Sequence, residues 1–303
     1  MRTFPLLLKS LLGVALALST VTAPLQALDT STTSDVAVGP QYDTTHVYVA
    51  PSDVDRFVQS FLATFGGKST KQGVAQVTPT PSSTTTQLLQ TPVGTVSLFG
   101  FKTPIPRPFG DERTGYLVKD MDVAVRAARD AGADVTVTTF PDPIGRDAVI
   151  QWPGGVNMQL YWHTVVPSYP AFQTVPENRI YVSPDRADSF VRSFVAFSHG
   201  KVVSDDPHAP GIEIGRASDT FRRIRIESPF GKMSVQVTDG HLPWPYGHET
   251  TGYEVVNVAD TLAKAKASGA NVLVEPYVAD GRQIAIVSFP GGYVAEIHSA
   301  TRR

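Results

Sequence analysis

Residues 46–68, HVYVAPSDVDRFVQSFLATFGGK, align without a gap on residues 179–201, RIYVSPDRADSFVRSFVAFSHGK. About half of the paired positions are identical, including Tyr48 with Tyr181, Phe57 with Phe190, Phe61 with Phe194 and Lys68 with Lys201. The match continues through TPVG at Thr91 and SPFG at Ser228, then through PRPFGDERTGY from Pro106 and PWPYGHETTGY from Pro243. It closes with WPGGVNMQLYWH against FPGGYVAEIHSA. Self-similarity of this extent marks a duplicated structural unit, so the fold must be one that can be built twice. The two units span 46–163 and 179–303, with 164–178 as the linker between them.

Each unit also has two similar halves. HVYVAP alternates with β-branched and aromatic residues and reads as a strand. SDVDRFVQSFLATFGG reads as a helix: Ser52 or Asp53 caps it, Val54, Phe57, Val58, Phe61 and Leu62 form its apolar stripe, and Gly stops it. Strands follow at VAQVT, TQLLQ and TVSLFGF. The second half repeats the order, with strand TGYLVKD, helix MDVAVRAARDAG and strands DVTVTTF, DAVIQW and VNMQLYW. The order β-α-β-β-β thus occurs four times, an α+β arrangement.

Composition narrows the chemistry. Apolar residues make up 42% and charged residues 18%, enough to bury a core of ordinary globular type. With 26 basic and 28 acidic residues there is no basic footprint, so nucleic acid is not an expected partner. The chain has no Cys, which removes thiol nucleophiles, iron–sulfur clusters and Cys–zinc sites. Arg2 and Lys9 precede an apolar run from Leu11 to Ala17, then small and polar residues up to Ala27. That layout predicts a cleavable signal peptide over 1–27, a flexible leader over 28–45, and a secreted or periplasmic mature protein without a membrane span.

VKDMDVAVRAARDAGADV, FPDPIGRDAVIQWPGGVNMQLYW and GGYVAEIHSA, together with the module order, resemble the vicinal oxygen chelate superfamily, which includes glyoxalase I, bleomycin-resistance proteins and extradiol dioxygenases. The resemblance covers nearly all of 46–298. It implies four βαβββ modules forming two tandem glyoxalase-like domains, each curled into a cup-shaped open barrel that holds a small molecule on its concave face. It also implies where a divalent metal would sit, since metal-dependent members take His and Glu ligands from the first and last strands of the modules. Here those positions carry His46, Ser97, Arg113 or Thr114, and Gln159 in the first unit. In the second they carry Arg179, Ser234, Thr250 or Thr251, and Glu296. His46 and Glu296 alone match, so a metal would need a site shared between the units, with His248 or another residue as third ligand. The residues otherwise point to a cup without metal or other cofactor.

Strand alternation groups the candidates, because residues i and i+2 share a face. His46 goes with Tyr48, Gln159 with Tyr161 and His163, Arg179 with Tyr181, and Glu296 with His298. Met158, Leu160 and Trp162 point the other way, toward helices. Polar groups interleaved with aromatics suit a ligand with both polar and hydrocarbon surface. Two functions follow. One is an exported binding protein for a small organic molecule. The other is an isomerase, epimerase or lyase that moves a proton beside a carbonyl, with His46 and Glu296 as the acid–base pair. Arg179 either fixes an anionic group or forms a salt bridge to Glu296; His163 and His298, near strand ends, are either ligand-binding or solvated. The repeated P-x-P-aromatic-G-x-E-x-T-G-Y string reads as a connector between modules, and it brings Glu112 and Glu249 close to ligand positions. Arg223 and Arg225 read as a solvated outer face, and VTPTPSSTTTQ as a polar, lid-like connection. Four modules in one chain predict a monomer with internal pseudo-twofold symmetry.

Overall fold

A computed structural model describes residues 35–301 of the chain. The expected signal peptide, and the leader up to residue 34, lie outside the described residues. In the first unit, β1 (Thr44–Tyr48) leads into α1 (Val54–Phe65), two short strands β2 (Lys68–Ser69) and β3 (Gly73–Ala75), then β4 (Thr84–Thr91) and β5 (Gly94–Phe101). The second module follows as β6 (Thr114–Leu117), α2 (Met121–Asp130), β7 (Asp134–Asp142), β8 (Gly145–Trp152) and β9 (Val156–His163). The second unit repeats this as β10 (Glu177–Val182), α3 (Pro184–Ser198), β11 (Lys201–Pro210), β12 (Thr220–Ser228) and β13 (Gly231–Val237). It ends with β14 (Thr250–Glu254), α4 (Val258–Ala267), β15 (Asn271–Ala279), β16 (Arg282–Ser288) and β17 (Val294–Ala300).

Local chemistry sets the helix ends. The Gly66 N–H donates to the Leu62 carbonyl at 2.8 Å with φ at +76°, a turn that glycine makes without strain. Asp120 and Asn257 cap α2 and α4 by accepting the Val123 and Asp260 N–H groups. Asp53 precedes α1 as expected, but its side chain makes no capping bond and instead pairs with Arg56.

Each unit forms its own sheet. The first runs β2-β4-β5-β1-β6-β9-β8-β7, with β3 also on β4; the second runs β11-β12-β13-β10-β14-β17-β16-β15. At the middle of each, two first strands lie antiparallel (β1 with β6, β10 with β14), each flanked by the parallel last strand of its own module. This is the expected α+β class, four βαβββ modules in two curled sheets.

The hydrophobic core belongs to neither unit alone. One cluster joins the second and third modules, with Tyr116, Trp152, Phe190, Phe194 and Phe230. The other joins the first and fourth, with Phe57, Phe61, Tyr253, Leu262 and Phe289. The helices take part in this cross-packing: α1 lies against α4 and α2 against α3. Met158 and Leu160 are fully buried in the first cluster, on the helix side as alternation required.

The leader enters this core too. Val36 and Ala37 are buried, Ala37 bridges Val118, and the Val38 N–H donates to the Leu117 carbonyl at 3.1 Å. Residues 35–45 are therefore packed, contrary to the expected flexible leader, because the apolar residues of DVAVG find a free strand to cover. Among the described residues no helix is long and apolar enough to cross a membrane.

Because both cores need modules from both units, a fragment ending at residue 163 should show no cooperative urea transition, whereas the full chain should. Phe61→Ala in the full chain should cost about 3–5 kcal/mol in the same assay, the usual range for emptying a packed aromatic site.

Candidate functional site

The concave face of the first sheet encloses a cavity of about 410 Å³. β1 supplies Thr44, His46 and Tyr48; β5, in register beside it, supplies Ser97 opposite His46 and Phe99 opposite Tyr48. β9 supplies Gln159, Tyr161 and His163, and β8 adds Asp147 opposite Tyr161. The period-2 rule thus puts five predicted residues, His46, Tyr48, Gln159, Tyr161 and His163, on one wall.

Behind that wall lies Glu112, fully buried, delivered by the repeated connector string. Its Oε1 stands 3.6 Å from His46 Nδ1 and accepts the Tyr48 hydroxyl proton. Tyr48 stacks on Phe99 with ring centres 5.2 Å apart, and Phe99 meets the His46 ring edge-on at 5.4 Å. Burial, then the nearby Glu112 charge, push the Tyr48 hydroxyl well above its ordinary pKa, so it stays a proton donor. The string is therefore both a connector and the carrier of a side chain that orients the cup wall.

Asp147 was not foreseen. The resemblance implies site residues on first and last strands, and β8 is neither, although DAVIQW shows the alternation that turns Asp147 inward. Its carboxyl is raised well above the usual range by burial and by repulsion from Asp142, partly offset by the Gln159 amide. His163 is half-buried and lowered by desolvation.

The second cup is built on the same register but is filled, with about 10 Å³ left between Arg179, Tyr181, Tyr246 and Glu296. Arg179 donates to Glu296 at 3.0 Å and to Glu177 at 3.2 Å, and His298 Nδ1 lies 3.0 Å from Glu296. Arg282 reaches Glu177 from the side at 3.3 Å. Arg179 thus forms the salt bridge to Glu296, one of the two arrangements expected of it. His298, 4% exposed, is not solvated. Nor is Arg223, 1% exposed, which pairs with Glu213 and Asp280. Its strand turns that face into the cup, where a helical turn at Gly211–Ile214 covers it.

The expected acid–base pair of His46 with Glu296 does not form. Each sheet closes its hydrogen-bond ladder within one unit, so His46 lines the first cup and Glu296 the second. Glu249, the counterpart of Glu112, accepts from Thr114 at 2.9 Å, and burial pushes its carboxyl up to about 7. It lines neither cup.

No family model matches the sequence, and no curated protein matches it. Solved structures do. A triple mutant of 4-hydroxymandelate synthase from Streptomyces coelicolor is similar with TM-score 0.54 and 13% identity, over 89% of this chain and 93% of that one. The 2,3-dioxygenase LapB from Pseudomonas sp. KL28 is similar with TM-score 0.51 and 11% identity, over 88% and 93%. A Mn(II)-bound glyoxalase from Novosphingobium aromaticivorans is similar with TM-score 0.51 and 14% identity, over 88% and 83%. The chain shares its fold with these proteins, the fold implied by the resemblance to the vicinal oxygen chelate superfamily. Both units enter these matches, so the tandem glyoxalase-like arrangement extends through the described chain.

Register places the positions at which the resemblance implied metal ligands. Gly115, not Arg113 or Thr114, lies opposite Gln159, and Gly252, not Thr250 or Thr251, lies opposite Glu296. A Cβ on Gly115 would come within 2.4 Å of His46 Nε2, so this position must stay empty. His46 Nδ1 and Glu112 Oε2 are buried without hydrogen-bond partners, but they are only two donors. Among the described residues no group of three or more His, Cys, Asp or Glu converges. The donor set does not fit the three or four ligands a divalent ion requires.

The filled cup has a pH signature. Burial alone would raise the Glu177 carboxyl, but Arg282 and Arg179 outweigh it and hold it at about 2, against an ordinary 4.5. A lowered carboxylate stabilises the fold above its unfolded pKa and loses that contribution as pH falls toward the folded value. Stability should therefore fall between about pH 4.5 and 2, and urea midpoints for Glu177→Gln should change less across that window.

Proposed function

We propose that the first cup binds a small organic molecule and that the second unit, filled by its own side chains, is the scaffold supporting it. The observation carrying this is the contrast of two cups in one duplicated fold, about 410 Å³ against about 10 Å³. Pockets of several hundred Å³, mostly apolar with a few convergent polar groups, are the usual form of small-molecule sites. Names of the structural neighbours, a synthase, a dioxygenase and a glyoxalase, support an enzyme-like site of this kind. The two-donor count supports a cup working without a resident metal ion. The signal-peptide pattern over 1–27 supports export to the periplasm or beyond.

The two cups offer matched variants, because Ser97 faces His46 as Ser234 faces Arg179. Native mass spectrometry of the purified protein should show a copurified small molecule, lost from Ser97→Trp, which keeps its thermal transition. Ser234→Trp, at a site with no exposed surface, should instead destabilise the fold by about 1–3 kcal/mol or more. A parent without a bound mass, and two variants equally destabilised, would overturn the binding role.

A second reading rests on the buried Glu112 beside His46. A buried carboxylate 3.6 Å from the ring favours the imidazolium that forms when His46 takes a proton next to a carbonyl, as an isomerase, epimerase or lyase requires. Solvent deuterium should then enter the bound molecule in the parent. It should fail to enter in His46→Gln while the mass stays bound. Exchange unchanged in that variant would leave binding alone.

A further inference from the structure

The cup does not end at its rim. A second, shallower hollow of about 510 Å³ lies beside it, lined by Pro143, Ile144, His163, Thr164, Val165, Pro167 and Tyr169. Four of these, Pro143, Ile144, His163 and Tyr169, also line the cup, so the two spaces are continuous. The hollow is apolar in a way that a solvated linker has no reason to be. Ile144 is 58% exposed and Val165 79%, and Val166 next to it is 77% exposed. Contiguous exposed apolar side chains at the mouth of a cavity mark surface that something covers.

The two ends of this space differ chemically. The charged lining of the cup is acidic: Asp147 is 5% exposed, and Asp142, partly exposed where it accepts the Ile144 N–H, stands between it and the hollow, against Lys71, which is exposed. The Tyr161 ring lies opposite Asp147, and Tyr48, Phe99 and Phe101 line the same cavity, the kind of surface that stabilises a cation by its quadrupole. The Tyr48 ring already carries the Arg113 guanidinium at 5.5 Å. An ammonium group at Asp147 would relieve the repulsion between the two aspartates.

We propose that the ligand is an amphiphilic primary amine, its ammonium head at Asp147 and its hydrocarbon tail running out over Ile144 and Val165. This rests on the reading of the first cup as a small-molecule site, and it narrows the class of molecule. The tail lies half against protein and half against water, so each added methylene gains less than a fully buried one.

The test is isothermal titration of n-alkylamines from butylamine to decylamine, with n-alkanols and n-alkanoates of the same lengths. Ligand-free protein is used, prepared by refolding if a copurified molecule must be removed. Amine affinity should rise roughly twofold per methylene, about half the free-energy gain of a fully buried group. Ile144→Ser/Val165→Ser, both changes on exposed side chains, should shrink the ratio of octylamine to butylamine affinity by about fivefold or more. Asp147→Asn should weaken all amines at least tenfold and leave alkanols unchanged. Amine affinity independent of chain length, or alkanoates binding as tightly as amines, overturns the proposal. If a compact molecule copurifies in the cup under either result, the binding role stands and the amphiphile alone is lost. If no mass copurifies and none of the three series binds, both fail.

Discussion

A curled sheet has two faces, and the helices of this protein can bury only one. Every helix is spent on the convex sides, where the first module packs on the fourth and the second on the third. The concave sides are left without an α-helix to cover them, and only the short turn at Gly211–Ile214 reaches into the second. Something else must fill each cup, and much of the molecule's chemistry follows from how that is done. An empty apolar hollow of this size forfeits dispersion contacts on every wall, and a wet one must satisfy its polar groups.

The second unit fills its cup with long charged side chains. The shared TPVG and SPFG strings pair Thr86 with Arg223 and Leu88 with Arg225, and the first strands pair Thr44 with Glu177 and His46 with Arg179. At each of these positions the first unit has the shorter or neutral residue. Arg179, Glu177, Glu296, His298 and Arg282 then neutralise one another in a place water hardly reaches. Such a network is expensive to desolvate, and it is tolerable because each charge finds a partner. In the first unit the same positions leave space, and His46 Nδ1 and Glu112 Oε2 stand beside it without a partner. Duplication with unequal side chains thus yields one plug and one receptacle on a single backbone plan.

Much of this was legible in the residues. Period-2 alternation placed His46 with Tyr48 and Gln159 with Tyr161 and His163, because strand geometry leaves no freedom in which face a residue takes. Alternation also put Arg223 and Arg225 opposite Ile224 and Ile226, but it could not say which face was inside. A strand buried on both faces breaks the assumption that charge means solvent. The pairing of His46 with Glu296 failed for a related reason. Both sit at equivalent sheet positions, yet whether such positions meet depends on which strands share hydrogen bonds, and that is a long-range choice. Gly115 and Gly252 have no side chain to leave a pattern; only the register shows that they stand opposite Gln159 and Glu296.

The sequence by itself determined the repeated unit, the β-α-β-β-β order, the helix boundaries, and which residues of each strand share a face. These are local properties, set by periodicity, capping and composition within a dozen residues. Tertiary structure decided that each sheet closes within its own unit, that the cores form between units, and that Glu112 turns to His46 while its twin Glu249 turns to Thr114. It also decided that one cup is open and the other full. Volume and charge pairing depend on side chains brought together from strands more than a hundred residues apart, as Arg179 and Glu296 are, and no local rule reaches that far.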